Sequence, residues 1–389
     1  MDTEGPLYEA PEVQLERLAE YFDIVGLEAT SANIEKLRQG KIPLDGREDE
    51  IAAFMGEHNR NFMGDWAQLD AMLDRVMSPD FRDHKPDTFG GGWVFNWFCL
   101  DHINFDYNPR RRTLGHHAIL DHYRRRLLDQ PQVGDSLNWH FHPMSTYRDA
   151  HHCATHYLRT PEIFEILCRK VIERQWFPSA YRAGFQAERP DSNWFLEQWV
   201  PFDMSNMAVD DPAEYDTQID FRNGRSGDWR RAPADWSVYH PDHDDYQRPG
   251  NCRRLIGRSL NVFNRIANLD QAEMDKAFAR AAEGQSTLVG MANHDYRDME
   301  PEVDYARDLI AASAARFPGV PYKYSEVGEA FRAVSYADAD TASPLAFEVS
   351  LHPAADGDVP FIEISTVAGE VFGPQPFLAL ETKSRRFLH

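Results

Sequence analysis

From Gly90 onward, short apolar runs alternate with segments of helical periodicity, and that alternation limits the fold more than any other feature of the chain. Trp93-Val94-Phe95-Asn96-Trp97-Phe98-Cys99-Leu100-Asp101-His102 reads as a strand buried on both faces. The pattern continues with a helix over 116–128, a strand over 136–142, a helix over 161–174, a short strand around Ala180 and a helix over 191–199. Further on it predicts a helix over 271–283, a strand over 286–292, and helices over 301–316 and 325–334. Strands that alternate with helices build a parallel sheet with helices outside it. Polar residues at several strand C-termini place a site on one rim of a barrel.

The flanks follow other periods. Residues 1–88 form an expected N-terminal helical segment, with apolar positions at helical spacing from Val13 to Phe22 and from Ile51 to Met77. Residues 89–338 make the barrel, interrupted by an insertion over 204–250 that is rich in Asp, Gly, Pro and aromatics. Loops of that length in compact domains are usually functional or disordered, and the aromatic content favours an ordered wall beside the site. Residues 339–389 turn to period two in Leu345–Leu351, Phe361–Ser365 and Pro376–Thr382, three strands of a small antiparallel add-on packed on the barrel.

Nine of the sixteen histidines lie between His102 and His156. In Leu137-Asn138-Trp139-His140-Phe141-His142-Pro143 two imidazoles occupy alternate positions of a strand, so both leave the same face at its end. With Asp101-His102 closing the preceding strand, the pattern suggests a divalent metal beside an acid or base. Later clusters extend the series: Ala180-Tyr181-Arg182-Ala183-Gly184, then Leu196 to Ser205 with Asp203 at its centre, then Gly290-Met291-Ala292-Asn293-His294-Asp295. His294-Asp295 also suits a helix cap. His116, His117 and His122 read as a surface helix face.

This progression resembles the polysaccharide deacetylase family, metal-dependent carbohydrate esterases of a deformed (β/α) barrel, over roughly residues 90 to 335. Asn108-Pro109-Arg110-Arg111-Arg112 and the run from Arg189 to Trp199 look like a divergent branch associated with bacterial surface-polysaccharide biosynthesis. The resemblance implies a hydrolase acting on a linear amide C–N bond, removing an acyl group, N-acetyl above all, from an amino sugar or glycan. It implies Asp101 as base, Arg182 as the group orienting it, and His294 as acid, held by a carboxylate such as Asp295. Two departures stand out: His102 replaces the family's second aspartate, and His140-x-His142 replaces a histidine pair with three intervening residues. The His152-x-x-x-His156 pair keeps the family spacing.

Two ligand sets follow for one divalent ion, zinc or another first-row metal. One is His102, His140 and His142; the other is Asp101 with a strand histidine and one of His151, His152 and His156. Strand-end ligands are the better preorganised, which favours the first. Trp194, Asp203, Trp229, Trp236 and Tyr239 are the expected substrate contacts, since aromatic faces grip sugar rings. Two other functions stay open: hydrolysis of a small nonsaccharide amide or imide, and metal-free carbohydrate binding or assembly on the same scaffold.

The net charge of −22 argues against a nucleic-acid partner, because an acidic surface repels phosphates. Four scattered cysteines make no disulfide framework, and no apolar run is long enough to span a membrane. A cytoplasmic location is the expectation from these features.

Overall fold

The computed structural model describes all residues except 57–61, 104–113, 131–133, 143–156, 158–159, 212, 214, 216–225, 265, 337–343 and 355–358. The arginine run 110–112 and the histidines at 151, 152 and 156 lie outside the described residues.

Seven parallel strands form one sheet in chain order: β1 (Asp2–Thr3), β2 (Asn96–Asp101), β3 (Ser136–Phe141), β4 (Ala180–Ala183), β5 (Phe202–Asn206), β6 (Leu255–Asn261) and β7 (Gly290–Ala292). The sheet nearly closes into a barrel. Its seam lies between β1 and the end of β7, where Asp2 pairs in parallel with His294 and its N–H donates to the Asn293 carbonyl at 2.8 Å. Residues 1–88 therefore begin with a barrel strand, and the expected N-terminal helices follow it, from Pro11–Phe22 to Pro79–Arg82.

Besides β1, two barrel strands escaped the sequence reading. β5 begins inside what reads as a helix exit, and β6 is a fully buried seven-residue strand following the long 207–254 connection. The helices fall close to where periodicity puts them. Gln271–Ala282 starts where the Asp270 side chain accepts from Glu273 N–H, and Met299–Arg316 where Asp298 accepts from Glu300 N–H. Asp298 is thus the cap, which leaves Asp295 for another task.

Register fixes which side chains enter the barrel. Leu100, His140 and Arg182 are neighbours across β2, β3 and β4, and Asp101 sits beside Phe141. In a parallel sheet such neighbours share a face. Phe98, Ala180, Phe202, Met204 and Leu255 fill the interior together with Val327 and Phe331 of the helix Val327–Ser335. That helix closes the N-terminal end of the barrel: Val327 N–H donates to Asn96 Oδ1 at 2.7 Å, and Phe331 stacks on Phe202. Trp139, Phe141 and Tyr181 face outward into the layer of helices Glu162–Arg174 and Pro190–Trp199.

The C-terminal strands form two separate ladders rather than one three-stranded sheet. β8 (Ala346–His352) pairs with β9 (Phe361–Ala368), while β10 (Leu380–Glu381) pairs with β11 (Phe387–Leu388). The second ladder packs on Glu162–Arg174, where Cys168 Sγ donates to the Leu388 carbonyl. The first leaves Val349 and Leu351 well exposed, at 61% and 73%.

A candidate metal centre at the barrel rim

The C-terminal ends of β1, β3, β4 and β7 converge on one group of side chains. His140 is the penultimate residue of β3, and His142 follows the strand by one position. His140 Nδ1 lies 2.9 Å from the Arg182 carbonyl, which only accepts, so Nδ1 carries the proton and Nε2 presents its lone pair to the site. That Nε2 is 3.0 Å from His142 Nε2, and each of the two nitrogens is 3.8 Å from Glu4 Oε1. A point equidistant from the three atoms lies about 2.1 Å from each, the length of zinc bonds to imidazole and carboxylate.

Glu4, His140 and His142 are the described residues whose donor atoms come together in this way. Two imidazoles and one carboxylate are the donor set of a catalytic zinc site that keeps a fourth position open. His102 belongs to the other end of the expectation and is a correction to it. It follows β2, pairs its backbone with Gly115, and stands outside the Glu4–His140–His142 triangle.

Around the triangle stand Asp2, Arg182 and His294. Arg182 Nε donates to Asp2 Oδ1 at 2.6 Å and its Nη1 to the Met204 carbonyl at 2.8 Å. Burial alone would raise the Asp2 carboxyl, but Arg182, His140 and His294 outweigh it and hold it at about 2. His294 Nε2 is 3.7 Å from Glu4 Oε1 and 3.9 Å from Asp2 Oδ2. Burial lowers its pKa to about 4 against the pull of Glu4 and Asp2, so the ring is neutral near pH 7. The ring stacks on Tyr296 at 4.8 Å, which fixes its plane.

Asp295 acts on the site from behind. Its carboxylate accepts from the N–H groups of Glu4 (2.7 Å) and Gly5 (2.9 Å) and from the Tyr123 hydroxyl (2.7 Å). The two backbone contacts fix the turn that carries Glu4, and the Tyr123 hydroxyl holds the carboxylate in place, so Asp295 is a positioning residue, buried beneath the site. Gly184, the end of the Arg-x-Gly motif, is there for space: a Cβ would meet His142 Cδ2 at 2.4 Å and its Cα at 2.8 Å. Phe185 follows with φ 54°, a conformation costly for a bulky residue, and sets its ring 4.7 Å from His142.

Asp101, expected as the base, is on the outer face. It accepts from Trp139 Nε1 at 2.6 Å and pairs with Lys170 Nζ at 2.8 Å, both partners buried in the helix layer. The reason is phase: Leu100 and His140 point inward, so Asp101 and Phe141 point outward.

Three of the expected substrate contacts are core. Trp229 and Trp236 are fully buried, with indole N–H groups donating to the carbonyls of Gln186 and Glu273, and the Tyr239 hydroxyl donates to the Tyr246 carbonyl. Asp203 pairs with Arg254, which also binds Glu188 at 2.8 Å, in a buried network against the helix Pro190–Trp199. Trp194 lies on the outward side of that helix, stacked on His243.

The sequence reading missed Asp2 and Glu4. Their only trace is the alternation in Asp2-Thr3-Glu4, with Asp2 on the two-residue strand and Glu4 one residue past its end, too short a run to mark a strand. No helix of the described residues is long and apolar enough to cross a membrane. Compared with models of protein families, with curated proteins and with solved structures, the chain matches none.

Proposed function

We propose that this protein is a metal-dependent hydrolase that removes an acyl group, N-acetyl above all, from an amino sugar or glycan. The observation that carries the hydrolase reading is the Glu4–His140–His142 triangle with neutral His294 beside it. The choice of an acylated amino sugar rests on the resemblance of the strand-end motifs to polysaccharide deacetylases.

Glu4, His140 and His142 would hold the ion, as their donor types and spacing fit zinc. When bound, a divalent ion there polarises the acyl carbonyl and acidifies water. His294, neutral at working pH, takes the water's proton at Nε2 and returns it to the departing amine nitrogen. The imidazolium formed between these steps is stabilised by Asp2 and Glu4, the two carboxylates that face Nε2. Arg182 keeps Asp2 ionised and in place, and Asp295 holds the Glu4 turn. One histidine thus serves as both base and acid, the two roles that the sequence divides between Asp101 and His294.

The test is a panel of N-acetylated amino sugars, chitooligosaccharides, and cyclic amides and imides offered to the zinc-loaded protein. Acetate release from the sugars, lost in His294→Gln with metal retained, is the expected result. Ring opening of the cyclic compounds alone would move the chain to nonsaccharide amides. Sugar binding without any hydrolysis would make it a binding protein.

A further inference from the structure

A cavity lies at the end of the barrel opposite the metal centre, enclosed by the segment before β2, the strand β7, and the helices Gln271–Ala282 and Val327–Ser335. Its volume, about 490 Å³, falls in the range of small-molecule sites. The walls are apolar: Phe98, Met204, Phe278, Leu288, Val327 and Ala330. At the mouth, Lys323 and Glu329 neutralise each other in an ion pair, and Phe89 is 69% exposed. At the inner end stands Arg182, only 2% exposed.

Arg182 makes this more than a void. Its Nε is committed to Asp2 and its Nη1 to the Met204 carbonyl, yet its Nη2 has no hydrogen-bond partner among the described residues. A buried donor left unpaired is costly, so a ligand that supplies an acceptor binds more tightly than one that does not. The guanidinium charge is already matched by Asp2, so the acceptor of choice is an uncharged oxygen. A carboxylate would add a second anion to one cation in an apolar enclosure. Met204, whose thioether rests over the bare backbones of Gly257 and Gly290, gives the wall beside Arg182 a flexible, unbranched side chain that can adjust to the incoming group.

We infer that this cavity binds an aliphatic chain with one uncharged oxygen at its end, a fatty alcohol or the carbonyl end of an acyl chain. The chain enters past Lys323 and Glu329, and its oxygen accepts from Arg182 Nη2. The inference stands apart from the hydrolase reading, since neither the cavity nor the free donor depends on a metal.

The experiment is calorimetric titration of the full chain with octanol, octanoate and octylammonium, with zinc binding measured in parallel. Octanol is expected to bind at about one per chain, with octanoate and octylammonium at least about tenfold weaker. Ala330→Phe and Ala281→Phe, which place rings in the cavity from two different helices, are expected to abolish octanol binding and leave zinc binding unchanged. Absence of octanol binding to the unaltered protein would overturn the inference. So would octanoate binding as tightly as octanol, or undiminished octanol binding in either folded variant. The head-group series on the unaltered protein decides the matter even if both variants fail to fold.

Discussion

Arg182 Nε donates to Asp2 Oδ1 over 2.6 Å, with both side chains 2% exposed, and so joins β4 to the two-residue strand that completes the barrel. Breaking one side of a buried pair leaves a charge without a partner, at a cost of about 3–5 kcal/mol. Arg182→Met is therefore expected to destabilise the protein by that amount in urea denaturation, with part of the loss recovered when Asp2→Asn is added. The pair also sets an acid limit. Because the folded pKa of Asp2 is depressed to about 2 from an ordinary 3.8, its contribution is complete above 3.8 and disappears as pH falls through the folded value. The stability difference between the unaltered protein and Asp2→Asn should shrink over that window.

Gly184→Ala is expected to loosen the metal centre without touching a ligand. The added methyl must displace His142, whose Cα and ring both occupy its space. A competition titration with a zinc chelator should show affinity lower by at least about tenfold, the range found when groups supporting metal ligands are altered. Unchanged affinity would mean that the His142 ring moves freely without consequence.

Asp101→Asn separates the outer-face reading from a catalytic one. Lys170 and Asp101 are both fully buried, and the amide would leave the ammonium unpaired. A stability loss of about 3–5 kcal/mol is expected, with zinc content and turnover per folded molecule retained. Lost turnover in a fully stable variant would return Asp101 to the chemistry.

Trp236→Ala tests whether the long connection is a substrate wall or core. The indole is fully buried, its N–H bonds the Glu273 carbonyl, and the Arg258 guanidinium lies over the ring at 4.3 Å. Thermal or urea unfolding should report a loss of about 3–5 kcal/mol. KM in the folded fraction should stay within error of the unaltered value.

The sequence made His140 and His142 legible because alternation beside polar neighbours carries a phase. Asp101 was misplaced for the converse reason: Trp97 to Leu100 is apolar at every position, so nothing in the run says which face is inside. The registers Leu100 with His140 and Asp101 with Phe141 supply that phase, and they exist only once the strands pair. Asp2 and Glu4 were illegible because β1 is two residues long and lacks an apolar run; it is a strand through its neighbours, β2 on one side and the Asn293–His294 backbone on the other. Trp229 and Trp236 look like ligand contacts in a polar, aperiodic stretch, yet their N–H groups find backbone carbonyls inside the protein, which is how a buried indole is satisfied.

Metal content measured by mass spectrometry after zinc loading and desalting bears most directly on the metal centre. The unaltered chain is expected to hold about one zinc, with Glu4→Gln, His140→Ala and His142→Ala each sharply depleted and His102→Ala fully loaded. Full zinc in the His140→Ala and His142→Ala variants, or depletion in His102→Ala with Glu4→Gln unaffected, would contradict the assignment of Glu4, His140 and His142 as the ligands.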